Sequence, residues 1–172
     1  GGIVGTLDQI MSGSIDRAFC LTRPPGHHAT PTRGMGFCIF NHAAVVARHA
    51  QSVHGVGKVL IVDWDVHHGN GTQDIFYEDE SVYFFSTHQA PWYPGTGSSE
   101  ETGSGNGLGF TRNHPLPSGS GNAEIVKNAF ADDLVHRMNR YRPELVIISA
   151  GFDSKLGDPL GQFQLMDNDF SE

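Results

Sequence analysis

Apolar residues follow two distinct patterns along this chain. Lys58–Val62 (KVLIV), Val82–Ser86 (VYFFS) and Leu145–Ala150 (LVIISA) are short, nearly unbroken apolar runs, rich in β-branched or aromatic side chains. Such runs predict strands buried on both faces, the habit of parallel sheets. From Asn41 to His54 (NHAAVVARHAQSVH) apolar residues recur at helical spacing, with Asn41 placed to cap the helix and Gly55 to stop it. Asn122–Tyr141 predicts a second helix, with Ile125, Ala129, Leu134 and Met138 among its apolar positions and Pro143 just beyond its end. Ala18–Thr22 (AFCLT) predicts one further short buried strand. Arg23–Gly36 and Ala90–Gly109 carry too many breakers for regular structure, and loops of such length usually serve function. Strands separated by helices imply βαβ units, hence a three-layer α/β/α fold around a mainly parallel sheet. Neither a repeat nor a low-complexity linker divides the chain, so one domain is expected.

Composition narrows the classes of partner. The 172 residues are 38% apolar and 17% charged, with no apolar run near the roughly 18–20 residues of a membrane span. Neither disorder nor membrane insertion is expected. Eleven Lys and Arg face nineteen Asp and Glu, a net charge of −8. That balance argues against direct binding to nucleic acid, which rests on neutralising phosphates, and suits a cationic substrate better. Cys20 and Cys38 lie in apolar stretches without metal-finger spacing, which predicts buried thiols in a reducing compartment. With no targeting segment visible, a cytoplasmic location is the expectation. Oligomeric state leaves no trace in this pattern.

The ten histidines include two tandem pairs, His27-His28 and His67-His68, at predicted strand ends or in the loops beyond. That edge of an open α/β sheet is where ligands bind. If extended geometry persists past Val62, then Asp63, Asp65 and His67 project to one face, while Trp64, Val66 and His68 project to the other. Two carboxylates beside an apolar core are costly unless a cation or strong donors neutralise them. An ordinary strand-end turn is the alternative. Asp153 follows LVIISAGF much as Asp65 follows VLIVDW, so neighbouring parallel strands would bring both carboxylates to one rim. Asp65, His67 and Asp153 then make a mixed oxygen and nitrogen set with an open position, the layout of a catalytic metal. Zinc fits these donors, and Fe(II) or Co(II) fits them too. His27 and His28, in a loop stiffened by two prolines, would offer a general base and a charged partner once different neighbours separate their pKa values.

The motifs RPPGHHA (Arg23–Ala29), GFCIFN (Gly36–Asn41), VDWDVHHGNGTQ (Val62–Gln73), YPGTG (Tyr93–Gly97) and SAGFDSKLGDPLG (Ser149–Gly161) resemble, in order, those of the zinc-dependent histone deacetylases. The resemblance, closest to class II-like or bacterial-type members, implies the arginase–deacetylase fold. It implies that Asp65, His67 and Asp153 ligate one Zn2+, that His27 and His28 are the catalytic pair, and that Asp63 orients His27. It places Asn70 beside His28, where other branches carry an acid, leaving His28 less readily protonated. It further implies a K+ site from the side chains of Asp63, Asp65 and Ser86 with backbone carbonyls near His67 and Thr87. Phe37 and Tyr93 would wall a tunnel for an acyl-lysine side chain, with the Gly36 carbonyl holding the substrate N–H; without the family, packing is the plainer role of both rings. The substrate would be an acetylated protein or, alternatively, an acetylpolyamine. The family's oxyanion tyrosine lies in a Gly-Gly-Tyr motif, which this sequence lacks. The expectation is therefore the central part of one catalytic domain over residues 1–172, incomplete at both ends and inactive in isolation. A non-catalytic metal-binding module is the reading from another class. The related ureohydrolases need further carboxylates where Gly69 and Lys155 stand, so a two-metal site lacks its ligands.

Overall fold

The computed structural model describes residues 1–172 throughout. Four parallel strands, β1 (Val59–Asp63), β2 (Val82–Gln89), β3 (Thr111–Leu116) and β4 (Leu145–Ser149), lie in the order β3-β2-β1-β4. Every residue of β1 and β2 is buried, which explains the apolar runs at Val59–Val62 and Val82–Phe85, while β2 continues beyond its predicted end at Ser86 through the buried polar residues Thr87, His88 and Gln89. Alternation then sorts their side chains between two cores. Val59, Ile61, Val82 and Phe84 pack on Leu7 of α1 (Gly2–Met11), on Ala44, Ala47 and Ala50 of α2 (His42–His54), and on Phe76 of α3 (Asn70–Phe76). Leu60, Val62, Tyr83 and Phe85 pack the other way, on Ala129, Leu134 and Tyr141. Those residues belong to a π-helical segment, Ala123–Leu134, that runs on into α4 (Val135–Tyr141). Helices therefore cover both faces, as the apolar pattern predicts. At ~1.5–3 kcal/mol for each fully buried large apolar side chain, the two central strands supply the main cohesion of the chain.

Helix α2 begins and ends where its sequence predicts. The Asn41 side chain accepts a hydrogen bond from the Ala44 N–H at 3.0 Å, and Gly55 closes the helix in the left-handed conformation at φ 71°. No helix is long and apolar enough to cross a membrane.

Three expectations fail. Ala18–Thr22 forms no strand: Phe19 and Leu21 are 66% and 88% exposed, because no neighbouring strand pairs with the segment. Cys20 is accordingly exposed rather than buried, while Cys38 is buried and both thiols are free. β4 is covered on one face only. Leu145 and Ile147 pack inward whereas Val146 and Ile148 remain half-exposed. Three elements escape the apolar pattern. α1 buries only Leu7, α3 is seven residues long, and β3 (TRNHPL) is polar, its Pro115 tolerated because β3 is the other edge strand.

Candidate active site

The strand C-termini open onto the site. Asp63, the last residue of β1, is fully buried and stands in register with Ser86 of β2 and Ser149 of β4. Beyond it the chain turns instead of continuing extended, and that turn brings Asp65 and His67 together. The His67 N–H donates to Asp65 Oδ1 at 2.8 Å, and His67 Nδ1 lies 2.9 Å from the same oxygen and 3.0 Å from Asp153 Oδ2. The alternation expected past Val62 is thus replaced by a carboxylate-capped bend, and Asp63 turns toward His27 rather than joining the other two. Asp153 arrives from the loop after β4. Its Oδ1 accepts the Val66 N–H at 2.9 Å, and the neighbouring Ser154 hydroxyl donates to the Trp64 carbonyl at 2.7 Å. A Cβ at Gly151 would overlap the Asp65 carboxylate, so the closest part of this loop has to be glycine.

The ligand atoms of Asp65, His67 and Asp153 lie within 4.8 Å of one another, and each side chain is only about 15% exposed. Burial by itself would push the His67 imidazole down, yet hydrogen bonds to Asp153 and Asp65 outweigh it and hold the ring at about 10. Asp65, raised by burial, is brought down to about 2 by the neighbouring His27 and His67. Two buried carboxylates thus demand a positive charge between them. A divalent metal ion meets that demand with the same atoms, and two oxygens with one imidazole nitrogen is a donor set that zinc accepts.

His27 and His28 stack beside this cluster with ring centroids 3.9 Å apart, and different neighbours hold them. His27 Nδ1 meets Asp63 Oδ2 at 2.9 Å, and its Nε2 lies 3.6 Å from Asp65 Oδ2. Burial lowers its pKa, but Asp63 and then Asp65 overcome that penalty and raise it to about 9. His28 Nδ1 meets a carboxamide oxygen, Asn70 Oδ1, at 2.8 Å. Burial and the charge on His27 lower His28 to about 4, and the Asn70 hydrogen bond only partly offsets them. Near neutral pH His27 carries a proton and His28 does not. Because an amide oxygen can only accept, His28 donates through Nδ1 and leaves the lone pair on Nε2.

Of the remaining sequence-predicted residues, Gly36 and Tyr93 touch this pair. Gly36 (φ 54°) and Phe37 (φ 63°) adopt left-handed backbone; a Cβ on Gly36 would overlap the His28 ring. Phe37 is 85% exposed and Tyr93 half-exposed; the Tyr93 ring stands edge-on to His28 at 5.1 Å and to His67 at 6.2 Å. Ser86 and Thr87 are buried on β2, and the Ser86 hydroxyl lies 2.9 Å from His88 Nδ1.

Several supporting residues, most of them inside the quoted motifs, have roles that the sequence did not assign. The buried Cys38 receives the His28 N–H at 3.4 Å and donates to the Gly36 carbonyl at 3.3 Å, so one thiol spans both loops. Asn41, read only as a helix cap, also bonds Thr72 Oγ1 at 3.0 Å, and the Thr72 N–H donates to the His27 carbonyl at 3.2 Å. Glu101 fixes the Tyr93–Gly97 loop by accepting the Gly97 and Ser98 N–H groups and the Gln73 amide. Only a doubled use of Asn41, as cap and as side-chain donor, could have been suspected from its place after GFCIF.

A family profile described as the Histone deacetylase domain matches residues 1–172. The chain is 49% identical over 169 residues to Histone deacetylase 14, chloroplastic, of Arabidopsis thaliana, covering 95% of this chain and 40% of that protein. It is 44% identical over 164 residues to human Polyamine deacetylase HDAC10, covering 92% of this chain and 24% of that protein. The crystal structure of the HDA15 HD domain superposes with a TM-score of 0.95 at 44% identity, over 98% of this chain and 48% of that one. An α/β sheet with a carboxylate–histidine cluster at its strand ends is thus the histone deacetylase architecture, and the chain belongs to the histone deacetylase family. It spans less than half the length of each of these relatives.

Proposed function

We propose that the chain supplies the metal-binding and proton-transfer centre of a zinc-dependent deacetylase, within a single catalytic domain of which residues 1–172 are the central part. The observation that carries this reading is the meeting of Asp65, His67 and Asp153 beside two histidines with opposite protonation preferences. When bound by these three side chains, zinc supplies a Lewis acid for the acetyl carbonyl and an acidified water. His28 Nε2, unprotonated near neutral pH, takes the proton of the attacking water. His27, held charged by Asp63, keeps positive charge next to the developing oxyanion and is the reserve from which the leaving amine is protonated. Asn70 fixes the tautomer that makes His28 a base. Phe37 and Tyr93 flank the approach of an acyl-lysine side chain, and the Gly36 carbonyl accepts its N–H. K+ held around Asp63, Asp65, His67, Ser86 and Thr87 would offset the buried carboxylates from below.

Acetyl-lysine in proteins is the preferred substrate. An acetylpolyamine is the second reading, favoured by the net charge of −8 and by the resemblance to a polyamine deacetylase. The test is paired hydrolysis of an acetyl-lysine peptide and N-acetylputrescine by the protein expressed in its natural reading frame, before and after chelation. Zinc-restored cleavage of the peptide is expected. Cleavage of only the polyamine would move the assignment to the second reading, and metal-independent cleavage of both would overturn the mechanism.

A further inference from the structure

A second group of metal-binding side chains lies away from the strand C-termini, where α1 meets the C-terminal end of α2. Nε2 of His49 and Nε2 of His54 approach the same oxygen, Asp8 Oδ1, at 2.8 and 2.7 Å. The imidazole centroids are 5.6 Å apart, and one ligand atom from each residue falls within 4.8 Å of the others. None of the three makes another side-chain hydrogen bond. Asp8 is about half exposed and each histidine about a quarter, so solvent can complete a coordination shell. Since β1 follows α2 by a few residues, this group sits near the strand N-termini, at the opposite edge of the sheet from Asp63.

Two features call for a cation here. Asp8 lies in the last turn of α1 and His54 in the last turn of α2, where the helix dipoles disfavour negative charge and favour positive charge. Neither Lys nor Arg stands in the last turn of α1 to balance Asp8. In addition, Leu7 is the one fully buried residue of α1, with Met11 packed beside it, so a metal shared with α2 would add to a small apolar contact. We infer that Asp8, His49 and His54 form a second transition-metal site, of zinc type, that pins α1 to α2. Two neutral imidazole nitrogens and one carboxylate oxygen, with a remaining position open to water, match zinc's preferences. A metal bound only by the folded arrangement stabilises it, so α1 should become the metal-sensitive part of the molecule.

The probe is Zn2+ alone, added to the metal-depleted protein expressed in its natural reading frame and followed by bound zinc per protein and by thermal unfolding. The wild-type chain is expected to retain two equivalents. Asp153→Ala, which removes a ligand of the strand-end cluster, should retain one and still gain thermal stability on adding zinc. Combining it with His49→Gln and His54→Gln should abolish both the remaining equivalent and the stabilisation. Glutamine keeps an amide donor for Asp8 while removing the imidazole ligand, so it separates a metal site from a hydrogen-bonded staple. Asp8→Asn, nearly isosteric, should produce the same loss. Equal zinc uptake with and without these substitutions, or a wild-type chain whose single equivalent disappears with Asp153→Ala alone, would overturn the inference. Were the strand-end assignment wrong instead, the wild-type chain would hold a single equivalent, which would survive Asp153→Ala and vanish with the glutamine pair.

Discussion

The two carboxylate–histidine groups have similar donors but different surroundings. At the strand ends Asp65, His67 and Asp153 are each about 15% exposed; at the α1–α2 junction the histidines are about a quarter exposed and Asp8 about half. The first group is backed by a second layer: Asp63 fixes His27, Asn70 fixes His28, and backbone N–H groups of Val66 and His67 hold the carboxylates. The second group has no such layer. Donor type is enough to allow a metal, whereas chemistry also needs pre-set proton donors and acceptors around it. The strand-end group stands beside two histidines whose pKa values are pushed apart by their neighbours.

Removing a ligand breaks this comparison most severely. Asp153→Ala or His67→Ala should abolish zinc at the strand ends and reduce deacetylation to background, checked by metal analysis and turnover of the same preparation. Full zinc occupancy there in either variant would refute the ligand assignment. His28→Ala should keep the metal yet lose on the order of 10²–10⁴ in kcat, the usual worth of a positioned acid or base. Unchanged turnover would remove His28 from the mechanism.

Subtler changes sharpen the contrast between the two histidines. His28 must be neutral and His27 charged, so activity should fall as pH drops through about 4 and again as it rises through about 9. Asn70→Asp puts a carboxylate beside His28, favours its protonated form and should move the acidic limb upward by roughly 1–3 pH units. An unmoved limb would show that Asn70 does not tune His28. Tyr93→Ala should raise KM by up to about tenfold through loss of an aromatic wall, while Tyr93→Phe should change little. A loss in kcat with Phe as large as with Ala would make the Tyr93 hydroxyl an oxyanion donor. At the outer group, His54→Gln should leave turnover unchanged.

How far the sequence revealed these features depended on whether a neighbour was needed to decide the outcome. β1 and β2 are legible because both their faces are covered, so the apolar run is itself the signal. Ala18–Thr22 has the same kind of run but no pairing strand, and it stays irregular and exposed. β3 was hidden because an edge strand can carry Arg112, His114 and Pro115. At the site, Asp65, His67, Asp153 and the His27-His28 pair stand out as polar groups placed beside apolar strands. The bend that joins Asp65 to His67, and the Cys38 bridge between His28 and Gly36, depend on contacts that residue spacing does not encode.

The proposed mechanism requires a metal ion at the strand ends, between Asp65, His67 and Asp153. Crystals of the zinc-loaded protein, measured on both sides of the zinc absorption edge, test it directly. An anomalous peak bounded by the Asp65 carboxylate, His67 Nδ1 and the Asp153 carboxylate, within reach of the His27 and His28 rings, is the predicted result. No peak at that position in fully loaded protein would contradict it.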